Sequence, residues 1–324
     1  MVASARDNSP YYRKRCRDVP VACEDPSLMP VTTKKDLMAA FDDWATDREV
    51  TIERVSAHLG NLDLIGAPLL GKYTVATTSG TTGTPGIFLL DSRALAVTTA
   101  LIVKMGSAWM SVGQVLRIAV RGGRTTIVCA TGGHHAEIVF ATQLRKGSQR
   151  RVRAIQVLPA HLPIADMVTE LNRFRPAILA PYAGIGSLLS DEQAAGRLQI
   201  APFLVALSAE GLPPGAHAKI TQAFGVRARH SYAATECTFL SSSCGHDWLH
   251  VNSDWVLIEP VDAEDRPVPA DELSHTALLS NLAKNRVQPI LRYALISSGA
   301  NGTACGGQPM SRSRGCSPNT GSRT

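Results

Sequence analysis

The chain has 324 residues, of which 44% are hydrophobic and 19% charged, and its net charge is +6 at neutral pH. This balance is typical of a folded globular protein and excludes an intrinsically disordered chain. Three of the cations lie in one tail (Arg312, Arg314 and Arg323), and no nucleic-acid-reading motif accompanies the basic residues. We therefore expect no nucleic-acid partner.

The N-terminal residues are polar and basic and lack the apolar stretch of a signal peptide. No apolar run reaches membrane-spanning length, so we expect no membrane span. The seven cysteines are scattered without the spacing of a small disulfide-rich domain, which favours a reducing compartment. These features predict a cytoplasmic protein.

Residues 1–72 are expected to form a mainly helical first part. Leu37, Ala40, Phe41 and Trp44 recur at helical spacing, which predicts a helix over Thr33–Trp44 with Thr33 as its N-cap. Short strands are expected at Tyr73–Thr78 and Ile87–Leu90, on either side of a polar loop.

Residues 73–236 are expected to form an α/β core, because short apolar segments alternate there with helical patterns. The predicted strands are 125–130, 154–158, 177–182, 203–207 and 226–232, and the predicted helices lie between 163 and 176, near 186–189 and over 216–224. Strands that alternate with helices in this way predict a mainly parallel sheet flanked by helices.

After Glu236 the pattern changes to strands without long helices between them, at 254–259, 276–282 and 289–295. We therefore expect a β-rich subdomain over residues 237–295. Residues 296–324 are dense in Gly, Ser, Asn and Arg and carry few apolar side chains, which predicts disorder.

The polar loop TTSGTTGTPG (Thr77–Gly86) combines glycines with Ser and Thr side chains. Glycines let backbone N–H groups approach an anion closely, and hydroxyl groups add donors, so the loop suits the phosphates of ATP. It is not a Walker A loop, because Thr84 stands where that motif requires lysine.

This loop resembles the phosphate loop of the acyl-adenylate-forming (AMP-binding) superfamily. In the same order along the chain, ATGGHHA (130–136), LSAEGLPP (207–214) and SYAATE (231–236) resemble further motifs of those enzymes, although Ala233 replaces a usual glycine. LMPVTTKKDLM (28–38) and LHVNSDWVLIEPV (249–261) resemble the phenylacetate–CoA ligase and capsule-biosynthesis branch. The resemblance extends from about Pro30 to Tyr293 and implies the large N-terminal domain of such an enzyme.

The resemblance also implies a role for each matching residue. The pyrophosphate end of ATP would be held by Thr78, Ser79, Gly80, Thr81, Thr82 and Gly83. Tyr232 would stack on the adenine, which Ala209 and Glu210 would border. Thr235 would bind the α-phosphate, Glu236 would bind Mg²⁺, and His134 would lie near the substrate carboxylate. The implied reaction converts a small carboxylic acid to acyl-AMP with ATP, and then to acyl-CoA with coenzyme A.

Other interpretations of these residues remain open. Glu236 could be a solvated loop acid, Tyr232 a core aromatic residue, and His134 and His135 ordinary polar loop residues. Cys237, Cys244, His246 and His250 are close enough in sequence for a Zn²⁺ site, but their spacing matches no standard zinc motif. The basic run 145–153 could meet the phosphates of coenzyme A or form a solvated face.

The chain departs from the family pattern after Tyr293. The Gly-Asp that normally follows the Arg-Tyr pair is missing, as is the small C-terminal domain with its catalytic lysine. We interpret residues 296–324 as the product of a truncation or frameshift, which would impair turnover. The alternative function is a non-catalytic nucleotide-binding remnant of such an enzyme; a homodimer is one assembly that the sequence leaves open.

Overall fold

The computed structural model describes residues 1–20, 23, 25–78, 85–244, 249–269, 272, 274–282 and 285–295. Its helices are α1 (Val2–Asn8), α2 (Pro10–Arg15), α3 (Lys34–Ala39), α4 (Phe41–Trp44), α5 (Ile52–Leu59), α6 (Ser92–Trp109), α7 (Val112–Val120), α8 (Ala136–Arg145), α9 (Gln149–Ala154), α10 (Ile164–Phe174), α11 (Ala183–Ala194) and α12 (Ala216–Phe224).

Its strands are β1 (Pro68–Leu69), β2 (Tyr73–Thr77), β3 (Ile87–Leu90), β4 (Thr125–Cys129), β5 (Ile155–Pro159), β6 (Ile178–Pro181), β7 (Leu204–Leu207), β8 (Ala228–Tyr232), β9 (Ser241–Ser243), β10 (Leu249–Val251), β11 (Val256–Val261), β12 (Thr276–Asn281) and β13 (Tyr293–Ala294).

The largest sheet has seven strands in the order β10-β9-β8-β7-β6-β4-β5. The pairs from β8 to β5 are parallel, whereas β9 and β10 extend the sheet with antiparallel pairs. Parallel neighbours need crossover connections, and α8 to α12 supply them. The predicted α/β class with a mainly parallel sheet is confirmed.

Helices cover this sheet on both faces, as the alternation of side chains along β7 shows. Val205 and Leu207 pack in a core with residues of α10, α11 and α12. Leu204, which points to the opposite face, packs with Met105 and Trp109 of α6. Because successive side chains of a strand point to opposite faces, α6 and the α10–α12 layer lie on different sides of the sheet.

The remaining strands form two small antiparallel sheets, β1-β2-β3 and β11-β12-β13. The N-terminal helices share one core with both sheets. Trp44 of α4 donates a hydrogen bond from Nε1 to the Pro289 carbonyl at 2.6 Å, and Phe88 of β3 contacts the rings of Trp44 and Tyr293 edge-on. Segments that the sequence predicts as a helical first part and a β-rich subdomain are therefore packed together, and the domain limits at residues 72 and 236 stay a prediction.

Some predicted elements differ in the structure. The expected helix Thr33–Trp44 is divided at Ala40 into α3 and α4, although Thr33 does cap it: its side chain accepts a hydrogen bond from the Asp36 amide. The strand predicted over residues 289–295 was wrong for most of its length, because only Tyr293–Ala294 pairs with β12. The pair α6 and α7 has no counterpart among the sequence-based predictions, and the predicted tail 296–324 lies outside the described residues.

In the part of the chain that the structure describes, no single helix is long and apolar enough to span a membrane. Helices α6 and α7 together meet that criterion by length and composition, but the chain bends by 110° between them.

Candidate nucleotide site

Four of the segments that resemble family motifs meet near one edge of the large sheet. Tyr182, the residue after β6, pairs with Ser208, the residue after β7. The Tyr182 hydroxyl also accepts a hydrogen bond of 3.0 Å from the amide of Ala130, the residue after β4. Tyr232 ends the neighbouring strand β8. In open α/β sheets, ligands bind outside the carboxyl ends of the strands, so this edge is the candidate site.

The predicted phosphate loop connects the two strands of a hairpin, β2 and β3. At its base, the Thr78 amide donates to the Gly86 carbonyl at 2.9 Å, and the Gly86 amide donates to Thr78 Oγ1 at 2.8 Å. These bonds fix both ends of the loop. The other predicted phosphate ligands, Ser79, Gly80, Thr81, Thr82 and Gly83, lie outside the described residues.

Thr235 and Glu236 form the tip of a tight turn after β8. The Cys237 amide donates to the Ala234 carbonyl at 3.1 Å, and the Ala234 amide donates back to the Cys237 carbonyl at 3.3 Å. The following residue, Thr238, is held by a 2.9 Å contact between its hydroxyl and that of Thr98 in α6. The two residues that the resemblance assigns to the α-phosphate and Mg²⁺ are thus adjacent on one anchored turn.

The Glu236 carboxylate has two partners that the sequence did not predict. Protein atoms surround most of the side chain, although it keeps some contact with solvent, and this burial raises its pKa. A hydrogen bond from the Tyr293 hydroxyl and the nearby positive charge of Lys34 act in the opposite direction. A carboxylate is the kind of hard oxygen ligand that Mg²⁺ prefers, so Glu236 fits the role that the resemblance assigns to it.

Lys34 also lies against the base of the predicted phosphate loop. A Cβ atom built on Gly86 would lie 3.2 Å from Lys34 Cδ and 2.6 Å from Phe88 Cε2, so glycine allows the lysine and the ring to approach the backbone. Lys34 is in the first turn of α3, and Glu236 follows β8, so only the fold brings them together. No spacing in the sequence marks this lysine as a site residue, apart from its place within the segment 28–38.

Ala209 and Glu210 follow β7 at the same edge. Ala209 has a left-handed backbone conformation with φ of 69°, which turns the chain sharply after the strand. The Glu210 carboxylate accepts a 2.8 Å hydrogen bond from the Gly184 amide in the first turn of α11. Glu210 therefore has a structural partner at a helix N-terminus, and its place beside an adenine ring stays a prediction.

Tyr232 is half-buried and packs against the core that contains Tyr293. The interpretation as a core aromatic residue is therefore partly correct, while part of the side chain remains accessible to a ligand. Stacking on adenine stays a prediction.

His134 is turned towards the N-terminal helices. It is buried, its Nε2 atom lies 3.2 Å from the Asn61 carbonyl, and its ring centre lies 5.5 Å from that of His58. Its own carbonyl accepts a hydrogen bond from the Thr77 amide at 2.7 Å, next to the predicted phosphate loop. The residue is part of the site's framework, and the predicted contact with a substrate carboxylate stays a prediction.

The structure gives the zinc hypothesis no support. Cys237 is buried in the core, and among the described residues no group of three or more His, Cys, Asp or Glu side chains has the geometry of a metal site. His246, one of the four candidate ligands, lies outside the described residues.

The basic run 145–153 lies away from the candidate site. It includes the end of α8 and most of α9, which directly precedes β5, and it borders an open groove lined by Lys146, Ser148 and Val152 among others. Because β5 is parallel to β4, this groove is at the amino edge of the sheet, opposite the carboxyl edge. A solvated face is the interpretation that this position favours.

Comparison with known proteins gives a match of fold. No protein-family description and no curated protein sequence matches the chain. Among solved structures, 2-hydroxyisobutyryl-CoA ligase in an open conformation with 2-HIB-AMP and CoA matches with a TM-score of 0.61 at 18% identity, over 90% of this chain and 60% of the ligase. The same ligase in its thioesterification state matches with a TM-score of 0.61 at 19% identity, over 90% of this chain and 59% of the ligase.

The chain thus spans about three fifths of the length of the ligase that it matches. It has the α/β fold of that part of a 2-hydroxyisobutyryl-CoA ligase, as its resemblance to acyl-adenylate-forming enzymes predicts.

Proposed function

We propose that this chain binds ATP with Mg²⁺ and activates a small carboxylic acid to its acyl-AMP, as the large domain of an AMP-forming carboxylate–CoA ligase does. The observation that carries the proposal is the turn at Thr235 and Glu236. It lies at the carboxyl edge of the sheet, and Lys34 links it to the base of the predicted phosphate loop.

In the proposed reaction, an oxygen of the substrate carboxylate attacks the α-phosphorus of ATP and pyrophosphate leaves. The Thr235 hydroxyl donates a hydrogen bond to the α-phosphate, and Glu236 would hold Mg²⁺, which would neutralise phosphate charge. Residues 78–83 hold the β- and γ-phosphates through backbone N–H and hydroxyl groups. Tyr232 stacks on the adenine, Ala209 and Glu210 border the same ring, and His134 lies near the substrate carboxylate.

This reaction needs no covalent intermediate with the protein. An in-line displacement depends on the position of the two reactants and on neutralising the charge that develops, and the proposed residues contribute to both. Lys34 adds to the assigned set, because its ammonium group near Glu236 contributes positive charge beside the phosphates. Transfer of the acyl group from AMP to coenzyme A is the proposed second step.

The test is ATP–pyrophosphate exchange with a panel of aryl and aliphatic acids. We expect exchange with at least one acid, and a loss of about a hundredfold or more in Glu236→Gln, because the amide is a poor Mg²⁺ ligand. Glu264→Gln, at an exposed position, is the matched control and should leave exchange unchanged.

The alternative, a non-catalytic nucleotide-binding remnant, makes a different prediction in the same experiment. It predicts Mg²⁺-dependent binding of ATP but no exchange with any acid. If the Glu236→Gln variant binds Mg·ATP as tightly as the unaltered protein does, both functions are contradicted, because both assign the metal to this carboxylate.

A further inference from the structure

Helix α7 turns an apolar face towards solvent. Val112, Val115, Leu116, Ala119 and Val120 are all exposed, with Val112 at 78% and Val120 at 88% of their full accessibility. We call these five residues the α7 face. They recur at intervals of three and four, so they lie on one side of the helix.

The opposite side of α7 holds the helix on the protein. Ile118 is buried, and Gln114 donates a hydrogen bond from Nε2 to the Phe203 carbonyl at 3.3 Å. A capping box between Ser111 and Gln114 begins the helix. The α7 face is therefore the outer side of a helix fixed on its inner side, and α6 exposes two further aliphatic side chains, Ile102 and Val103.

The chain segment that carries this face has charges of one sign. Residues 92–136, which include α6 and α7, carry five cations (Arg93, Lys104, Arg117, Arg121 and Arg124) and no acidic residue. Arg117 is exposed on α7 itself. Arg121 directly follows the helix, and its Nη1 atom donates a hydrogen bond to the Ala201 carbonyl at 2.7 Å. The segment that these contacts reach, residues 201–203, is also free of acidic side chains.

This charge distribution selects the kind of partner. A second copy of the chain would place two α7 helices against each other, each with an exposed Arg117 and no acidic residue, which like-charge repulsion disfavours. An anionic surface would be attracted instead. The α7 face consists of aliphatic side chains without hydrogen-bonding groups, so it suits a fluid hydrocarbon boundary better than a protein partner that must be held in register.

We propose that the α7 face binds the surface of an anionic lipid bilayer, with α7 lying in the plane of the interface. Val112, Val115, Leu116 and Val120 enter the boundary of the acyl chains, while the exposed Arg117 remains at the level of the lipid phosphates. This surface is separate from the nucleotide site, so the proposal does not depend on the proposed enzymatic function.

The test is sedimentation of the full chain with vesicles of phosphatidylglycerol and phosphatidylcholine, compared with vesicles of phosphatidylcholine alone. We expect binding to the anionic vesicles and little to the neutral ones. The double substitution Leu116→Asn and Val120→Asn should weaken binding by about tenfold or more, because it removes two inserted side chains. Arg117→Gln should weaken it by about fivefold.

Leu188→Asn is the matched control. Leu188 is also an exposed helical leucine, but it lies in α11, in the helix layer on the other face of the sheet. It should leave vesicle binding unchanged. All substituted side chains are exposed, and circular dichroism should show that every variant keeps its fold.

Three outcomes would overturn the proposal: no binding to anionic vesicles, equal binding by the α7 double variant, or equal loss in Leu188→Asn. Sedimentation equilibrium gives a further check. If the unaltered chain forms a dimer that the α7 substitutions dissociate, the face is an interface between two copies and the lipid proposal is wrong.

Discussion

The Tyr293 hydroxyl is hydrogen-bonded to the carboxylate of Glu236, the residue to which we assign Mg²⁺. Burial raises the pKa of Tyr293, and the Glu236 charge raises it further, so the hydroxyl keeps its proton and remains a donor. Two backbone hydrogen bonds to Thr32 fix the chain on either side of Tyr293. The Thr32 amide donates to the Arg292 carbonyl, and the Thr32 carbonyl accepts from the Ala294 amide, both at 2.9 Å. Tyr293 therefore orients the carboxylate from a rigid position.

Tyr293→Phe should weaken Mg·ATP binding by about tenfold, because it removes a hydrogen bond to a charged group while keeping the ring. Isothermal titration calorimetry with Mg·ATP measures the effect. Tyr73→Phe is the control, because the Tyr73 hydroxyl also donates to a carboxylate, that of Asp47. Tyr73 begins β2, at the end of the strand away from the loop. Equal losses in the two variants would show that Tyr293 has no specific role in orienting Glu236.

Lys34→Gln should lower the affinity for Mg·ATP by about three- to tenfold, because it removes positive charge beside Glu236 and the loop base. The same substitution at Lys35, the exposed neighbour in α3, should have little effect. The effect of Lys34→Gln should diminish at high salt, since screening reduces the contribution of the ammonium group. Binding by Lys34→Gln that matches the unaltered chain at low salt would remove Lys34 from the site.

Gly86→Ala should destabilise the protein by about 1–3 kcal/mol, because the added Cβ would lie 2.6 Å from Phe88 Cε2. The matched control is Gly106→Ala inside α6, where the added Cβ would meet only the flexible end of Met110 at 3.4 Å. That change should be stabilising by up to about 1 kcal/mol, since alanine favours helix interiors. Urea denaturation of both variants gives the two free energies of unfolding, and a stable Gly86→Ala would show that the ring can move aside.

Arg292→Met should cost about 3–5 kcal/mol of stability, because it leaves the buried Glu259 carboxylate without its partner. The Arg292 guanidinium lies 3.2 Å from Glu259 and also donates to the Met29 carbonyl at 2.8 Å. Burial raises the pKa of Glu259, and the arginine charge opposes that change. Adding Glu259→Gln should restore part of the loss.

The exposed arginine Arg266, which pairs with Asp262, provides the contrast for that measurement. Arg266→Met should cost no more than about 1 kcal/mol, because solvent screens an exposed ion pair. Unfolding in guanidinium or urea gives the loss of stability in Arg292→Met and in Arg266→Met. Equal losses would contradict the interpretation that burial makes the Arg292–Glu259 pair the more important one.

His58 should make stability depend on pH between about pH 5 and 7. Burial lowers its pKa, and the adjacent His134 lowers it further. The unfolded chain therefore takes up a proton at a higher pH than the folded chain does, so stability is complete above the unfolded pKa and decreases as the pH falls through that range.

His58→Gln should flatten this pH profile, measured as the melting temperature at several pH values. His161→Gln, at an exposed position, is the control and should leave the profile as it is. A profile that stays equally steep in His58→Gln would assign the pH dependence to other groups.

Local patterns predicted much of the fold because they depend on neighbouring residues. The capping of α3 by Thr33, the end of α12 at Gly225 in a left-handed conformation, and the alternation of strands with helices all follow from short segments. The antiparallel strands β9 and β10 were missed, because three-residue strands carry too little periodicity to be recognised.

The sequence by itself determined the α/β class and, through its resemblance to adenylate-forming enzymes, the set of candidate residues around the loop Thr77–Gly86 and the turn Ser231–Glu236. Only the tertiary structure decided what surrounds them: Lys34 and Tyr293 beside Glu236, His58 beside His134, and an exposed apolar face on α7. The physical reason is that motifs record residues adjacent in the chain. The partners of Glu236 come from α3 and β13, and folding brings these distant segments together.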